Sequence, residues 1–245
     1  MSKPKSILIR TAVVIAMAVT AYLTLLGFPQ PLFAYSLSAD HLTLHSDQPF
    51  PTESAERVLQ LAAAKLAASP LYSAHQTYDI FVCNARWRQR LLFNRSYGVG
   101  GVAFYPLTRN VFLRDANIKD NQLISPLGTP ILGVRTLDYF IAHELTHQLT
   151  GHAIGPVRYF QLPPYVREGY ADYVGKGNSF NFEATRQDFL ANAPDLDYQK
   201  SGLYLRYNLL VTYLLDHRHR SVIELLKNPP PQEAIEAAIR STGPH

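Results

Sequence analysis

Thr136-Leu-Asp-Tyr-Phe-Ile-Ala-His143-Glu144-Leu-Thr-His147-Gln-Leu-Thr-Gly151 places two histidines four residues apart, with a glutamate directly after the first. In a helix, positions i and i+4 share a face, so both imidazoles reach one ion. Glu144 projects about 100° aside, where it holds a water on that ion rather than the ion itself. Thr136 offers an N-cap and Gly151 a stop, so a helix over 137–150 is expected whatever the histidines do. With nine histidines in 245 residues, the chance expectation for such a motif is on the order of 0.01. Two satisfied surface histidines are therefore the weaker reading.

A catalytic zinc site needs a third protein ligand and an open fourth position. A third histidine six residues beyond His147 would fall on Ala153, with His152 one place out of register, and no methionine follows Met17. The metzincin pattern is thereby excluded. Arg135, Asp138 and Gln148 flank the motif, which excludes a protease active within the bilayer. A glutamate from a following helix fits better. Pro163-Pro164-Tyr165-Val166-Arg167-Glu168-Gly169-Tyr170-Ala171-Asp172-Tyr173 starts a helix at its prolines and sets Glu168 in the first turns. Asp172 follows one turn later on the same face. Metal-bound histidines usually donate their other ring N–H to a carboxylate, and Asp172 can accept it from His143 if the two helices cross.

His143-Glu144-x-x-His147 followed by Glu168-x-x-Ala171-Asp172 resembles the gluzincin metallopeptidases, the thermolysin-like and aminopeptidase-like group. The wording Pro-x-Tyr-x-x-Glu-Gly-x-Ala-x-Tyr is similar to small proteins of the peptidase-MA-like type. The resemblance spans about residues 95–230, with its motifs confined to 143–147 and 168–172. It implies a zincin-like fold and one zinc ion per chain, held by His143, His147 and Glu168. It also implies Glu144 as general base and Asp172 as the group orienting a ligand. In such chains a tyrosine ahead of a Tyr-Leu pair donates to the oxyanion, which favours Tyr204, before Tyr213-Leu214, over Tyr207. Gly101-Val102-Ala103 resembles the edge strand that pairs with the substrate backbone, since glycines let another backbone approach closely.

Away from the motifs, the N-terminus is distinctive. Residues 1–34 carry Lys3, Lys5 and Arg10 and no acid, and residues 11–28 are almost wholly apolar. That run nearly spans a ~30 Å hydrocarbon core as a helix, and the leading positive charge predicts a cytoplasmic N-terminus with the body exported. The run is longer than the ~7–15 residues of a signal peptide, and Leu32-Phe33-Ala34 is a poor cleavage site. An uncleaved anchor over 1–34 is therefore expected, secretion after cleavage being the alternative. The remaining 35–245, one domain, holds twenty basic and nineteen acidic side chains. That near-neutral balance excludes nucleic acid as a partner. One cysteine, Cys83, excludes an intrachain disulfide and cysteine-rich metal sites.

The body reads as strands first and helices second, an α+β pattern. Strands are expected at 41–46, 78–83, 98–105 and 110–114. Helices are expected from Thr52, as cap, to Pro70, and then over 137–150, 164–174, 202–216, 221–226 and 232–239. The polar stretch 176–200 is expected as a lid or subdomain. The architecture follows: an N-terminal transmembrane helix, a small mixed sheet packed on the motif helix, and a mostly helical C-terminal half. The expected function is extracytoplasmic, zinc-dependent hydrolysis of a peptide or protein substrate. The rival is a membrane-anchored binding or assembly protein that keeps the fold without the activity.

Overall fold

The structure, a computed structural model, describes residues 3–197 and 204–241. The N-terminal apolar run forms α1 (Lys3–Gly27), of which Ile7–Gly27 is long and apolar enough to cross a membrane. After it come β1 (Tyr35–Ala39), β2 (Leu42–Ser46), α2 (Thr52–Ala67), β3 (Tyr78–Val82) and α3 (Arg86–Phe93). Four short strands, β4 (Gly101–Ala103), β5 (Val111–Leu113) and the β6–β7 pair (Ala116–Asn117, Gln122–Leu123), lead into the motif helix. That helix is α4 (Leu137–Ile154), followed by α5 (Pro156–Gln161), α6 (Pro164–Lys176), α7 (Phe182–Leu190), α8 (Leu205–Thr212), α9 (Val222–Lys227) and α10 (Gln232–Ser241).

The fold is mixed α+β. Its main sheet runs β1-β2-β3-β5-β4, parallel where β3 meets β2 and β5, antiparallel at both edges. Leu42, Leu44, Ile80, Val82, Val111 and Leu113 point to one face and are wholly buried, where α2 and α4 cover them. The opposite face presents Phe81 and Phe112 to a second apolar cluster with Leu92 and Phe93 of α3, Leu26 of α1, and Phe33. The end of the apolar helix is thus packed into the body: Asn110 Nδ2 donates to the carbonyls of Leu26 (2.8 Å) and Gly27 (3.1 Å).

Helix α4 is buried on every side from Leu137 to Gly151, so no amphipathic stripe marks it. Its start is capped from outside. Asn121 Oδ1 accepts from the Asp138 N–H (3.0 Å) and its carbonyl from that of Leu137 (2.9 Å), whereas the Thr136 side chain makes no capping bond. The expected stop at Gly151 is corrected too: α4 continues to Ile154 and ends at Gly155, whose φ of 80° favours glycine. Gly151 serves packing, since a Cβ there would lie 2.6 Å from the ring of Tyr105.

Thr52 likewise is the first residue of α2 rather than its cap. Strand 98–105 shortens to β4, and the helix expected over 202–216 is seen as α8 with a π-helical turn at Tyr213–His217, its first two residues lying outside the described ones. The stretch 176–197 is helical and anchored by buried Phe189 and Leu196, not a separate lid; 198–200 lie outside the described residues. β1, β6, β7, α3, α5 and α7 lie outside the elements expected from the sequence.

Candidate metal centre

Helix α4 brings His143 and His147 onto one face, and α6, packed beside it, delivers Glu168. His143 Nε2 and His147 Nε2 are 3.2 Å apart, and Glu168 Oε2 lies 3.7 Å from the first and 3.5 Å from the second. Ligand atoms around a tetrahedral zinc with bonds of ~2.0–2.1 Å are separated by about 3.4 Å. The three observed edges bracket that value. Two imidazole nitrogens with a carboxylate oxygen, at this spacing, fit a divalent cation. No other His, Cys, Asp or Glu group of this kind occurs among the described residues.

The local electrostatics favour a cation here. Burial acts to raise the Glu168 carboxyl, but the imidazoles of His147 and His143 outweigh it and hold the group well below the usual carboxylate range. Burial acts to lower His147, yet Glu168, by charge and hydrogen bond, and then Glu144 raise it above an ordinary histidine. Arg167 Nε holds Glu168 Oε1 at 3.2 Å, which leaves Oε2 toward the imidazoles.

Asp172 stands where α4, α6 and α8 meet, and its carboxylate is wholly buried. It does not touch His143, which corrects the direct contact expected from the sequence. The hydroxyl of Tyr139 lies between them: it donates to Asp172 Oδ1 at 2.6 Å and sits 3.4 Å from His143 Nδ1. Asp172 Oδ2 accepts from buried Lys176 and from Asn208 Nδ2 (2.9 Å), and Thr212 Oγ1 donates to Asn208 Oδ1 (2.8 Å). A chain of hydrogen bonds therefore runs from α8 through Asp172 and Tyr139 to one imidazole. His147 has no such brace, for its buried Nδ1 finds no partner among the described residues.

Tyr139→Phe removes the relay while keeping the Lys176–Asp172 pair. It is expected to weaken zinc binding roughly 10–100-fold, the loss seen when an outer hydrogen-bond partner is removed. A competitive zinc titration checks this, and unchanged affinity would remove Tyr139 from the site. Asp172→Asn is the less informative change. It also neutralises the carboxylate that pairs with the buried Lys176 ammonium, so a change in zinc affinity there would not isolate the relay.

Glu144 is buried beside the three ligand atoms without being one of them. Burial raises its carboxyl above the usual range, while the two imidazoles pull it part of the way back. Strand β4 crosses directly over it. A Cβ on Gly101 would lie 2.6 Å from Glu144 Cγ, and one on Gly100 would lie 2.5 Å from the Phe140 ring. The close approach that these glycines permit is of strand to helix within the chain.

The cleft over the triad has a volume of about 280 Å³. The predicted residues Gly101, Val102, Ala103, His143, Glu144, His147, Glu168 and Tyr204 all line it, and Asp172 does not. Tyr204 caps α8 in the left-handed region (φ 50°), its ring near-parallel to His143 at 6.0 Å. Burial first, then Glu168 and Glu144, push its hydroxyl up to about 12, so at neutral pH it stays a donor.

Sequence reasoning missed Tyr159 and Arg135, which also line the cleft, and neither sits in a spacing that announces it. Tyr139 had a readable signal, being four residues before His143 on the same face. Arg206, considered as a binder of substrate carboxylates, instead clasps Glu236 (2.6 and 2.9 Å). Compared with known proteins, the chain matches no family model and no curated protein sequence.

Proposed function

We propose that the chain is a membrane-anchored zinc peptidase of gluzincin type, with His143, His147 and Glu168 as ligands and Glu144 as general base. The observation that carries this reading is the triangle of ligand atoms, 3.2, 3.5 and 3.7 Å on its edges, set beside a buried acid that does not join it. A zincin-like architecture is supported by a mixed sheet whose antiparallel edge strand β4 lies across the motif helix.

A zinc ion in such a donor set supplies Lewis acidity, polarising a carbonyl and acidifying water. Glu144 takes the proton of the attacking water and passes it to the leaving amine, and its raised affinity for protons suits both halves of that transfer. The hydroxyl of Tyr204 remains protonated and donates to the developing oxyanion. Strand β4 positions the substrate. The Arg114 N–H bonds the Gly100 carbonyl, and the ladder alternates from there. Gly101 and Ala103 therefore turn their N–H and C=O to the free edge, ready for an extended chain, while Val102 bonds β5.

The anchor reading gains support from the packing. Residues 32–34, the best cleavage site in the sequence, are held in place: Phe33 is buried, and the Leu32 carbonyl accepts from Arg88 Nε at 2.9 Å. The basic residues Lys3, Lys5 and Arg10 set the N-terminus on the cytoplasmic side, with the body outside.

Full-length protein in detergent is expected to hydrolyse an unstructured polypeptide, to stop when a chelator removes zinc, and to recover with one equivalent of zinc. Zinc-loaded protein that cleaves nothing would overturn the peptidase reading and favour the silent binding protein.

A further inference from the structure

Helix α3 is short and its role is not explained by the cleft. It reads Arg86-Trp-Arg-Gln-Arg-Leu-Leu-Phe93, three arginines and no acid. Its inner side is apolar: Leu92 and Phe93 are buried in the cluster that holds Phe33 and Leu26. Its outer side exposes Arg86, Arg90 and Trp87, the last 53% accessible. Arg88 Cζ lies 4.3 Å from the centre of the indole and its Nη1 is paired with Asp47.

Position gives that face its meaning. The hydroxyl of Tyr22, in the penultimate turn of α1, donates to the carbonyl of Leu91 at 3.0 Å. Tyr22 is five residues from Gly27, the end of the apolar run, or about 7.5 Å along a helix. Leu26 is buried in the body's own apolar cluster, so the last turn of α1 belongs to the body. If the residues ahead of it cross the bilayer, Tyr22 marks the boundary, and its bond to Leu91 holds α3 near the depth of the lipid headgroups. Tryptophan at this level sits in the aromatic belt, and arginines there meet lipid phosphates in the geometry that they pair with best.

We propose that α3 is a membrane-docking helix: Trp87 enters the headgroup region, Arg86 and Arg90 engage anionic lipid, and the body is thereby fixed against the bilayer rather than tethered loosely to it. This rests on α1 being a membrane span, not on the peptidase chemistry. It has a geometric consequence for the cleft. Ser96, which lines it, follows Phe93 by three residues, a reach of at most about 11 Å. One wall of the cleft therefore lies a short reach from the docking helix.

Trp87 is the only tryptophan in the chain and reports on its own position. Full-length protein would be reconstituted into vesicles of phosphatidylcholine alone or with phosphatidylserine, each also made with acyl chains brominated near the headgroup. Retention under alkaline carbonate extraction is expected. So are strong quenching of Trp87 by bromolipid in anionic vesicles, shielding from acrylamide, and loss of both in the doubly substituted Arg86→Gln, Arg90→Gln protein. Removing two surface arginines is expected to shift the docking equilibrium about 30-fold. Release by carbonate overturns the reading of α1 and docking with it. Retention without bromolipid quenching overturns docking alone, and shielding from acrylamide in that case means a protein occupies the face. Quenching that is equal in neutral and anionic vesicles and survives the double substitution overturns the recognition of anionic lipid.

Discussion

Glu144→Gln is expected to lower peptide hydrolysis by about 10²–10⁴-fold, the share usually carried by a positioned acid–base group, with zinc content unchanged. Glutamine keeps the shape of the side chain, so the contact with β4 at Gly101 survives. It removes the ability to accept a proton and give it back. Glu144 is not among the three ligand atoms, so the metal stays. Turnover by the two proteins at equal zinc occupancy is the measurement. Equal rates well above background would dismiss Glu144 as the base. A zinc-loaded wild type with no hydrolysis above background would describe a fold that binds and does not cleave.

Glu168→Ala is expected to act on the metal itself. Two imidazoles remain, but the only negative charge among the ligands is gone. His143 and His147 are then left 3.2 Å apart with no carboxylate between them. Affinity is expected to fall by more than the roughly 10–100-fold that an outer partner contributes, and hydrolysis to fall with it at ordinary zinc concentrations. A competition titration against a chelator of known affinity measures the loss. Unlike Glu144→Gln, this variant is expected to regain part of its activity as zinc is raised. That contrast separates holding the metal from moving the proton.

The motif helix and the helix carrying Glu168 were readable because their signals are local: spacing of four, prolines at a start, an acid in the first turns. The order of strands before helices was readable for the same reason. What stayed hidden depends on contacts between distant segments. The cap of α4 comes from Asn121, far enough back in sequence that Thr136 looked sufficient. Gly151 looked like a stop because glycine ends helices, yet its lack of a side chain serves the Tyr105 ring. The neighbour that Gly100 and Gly101 admit within the chain is α4.

The triad is the part where sequence reasoning reached furthest. Spacing showed that His143 and His147 share a face and a following helix supplied Glu168, and the structure brings one candidate ligand atom of each within 4.8 Å of the others. Distances between helices set the rest. Asp172 reaches His143 through the Tyr139 hydroxyl rather than directly. Tyr159 and Arg135 enter the cleft from α5 and from the residue just ahead of Thr136, positions that only the tertiary fold defines.

X-ray absorption at the zinc edge, on purified full-length protein loaded with one equivalent, observes the coordination directly. The arrangement of His143, His147 and Glu168 predicts two imidazole nitrogens and oxygen donors at about 2.0–2.2 Å, with one imidazole left on average after His147→Ala. A sample that retains no zinc, or a spectrum unchanged by His147→Ala, would contradict it.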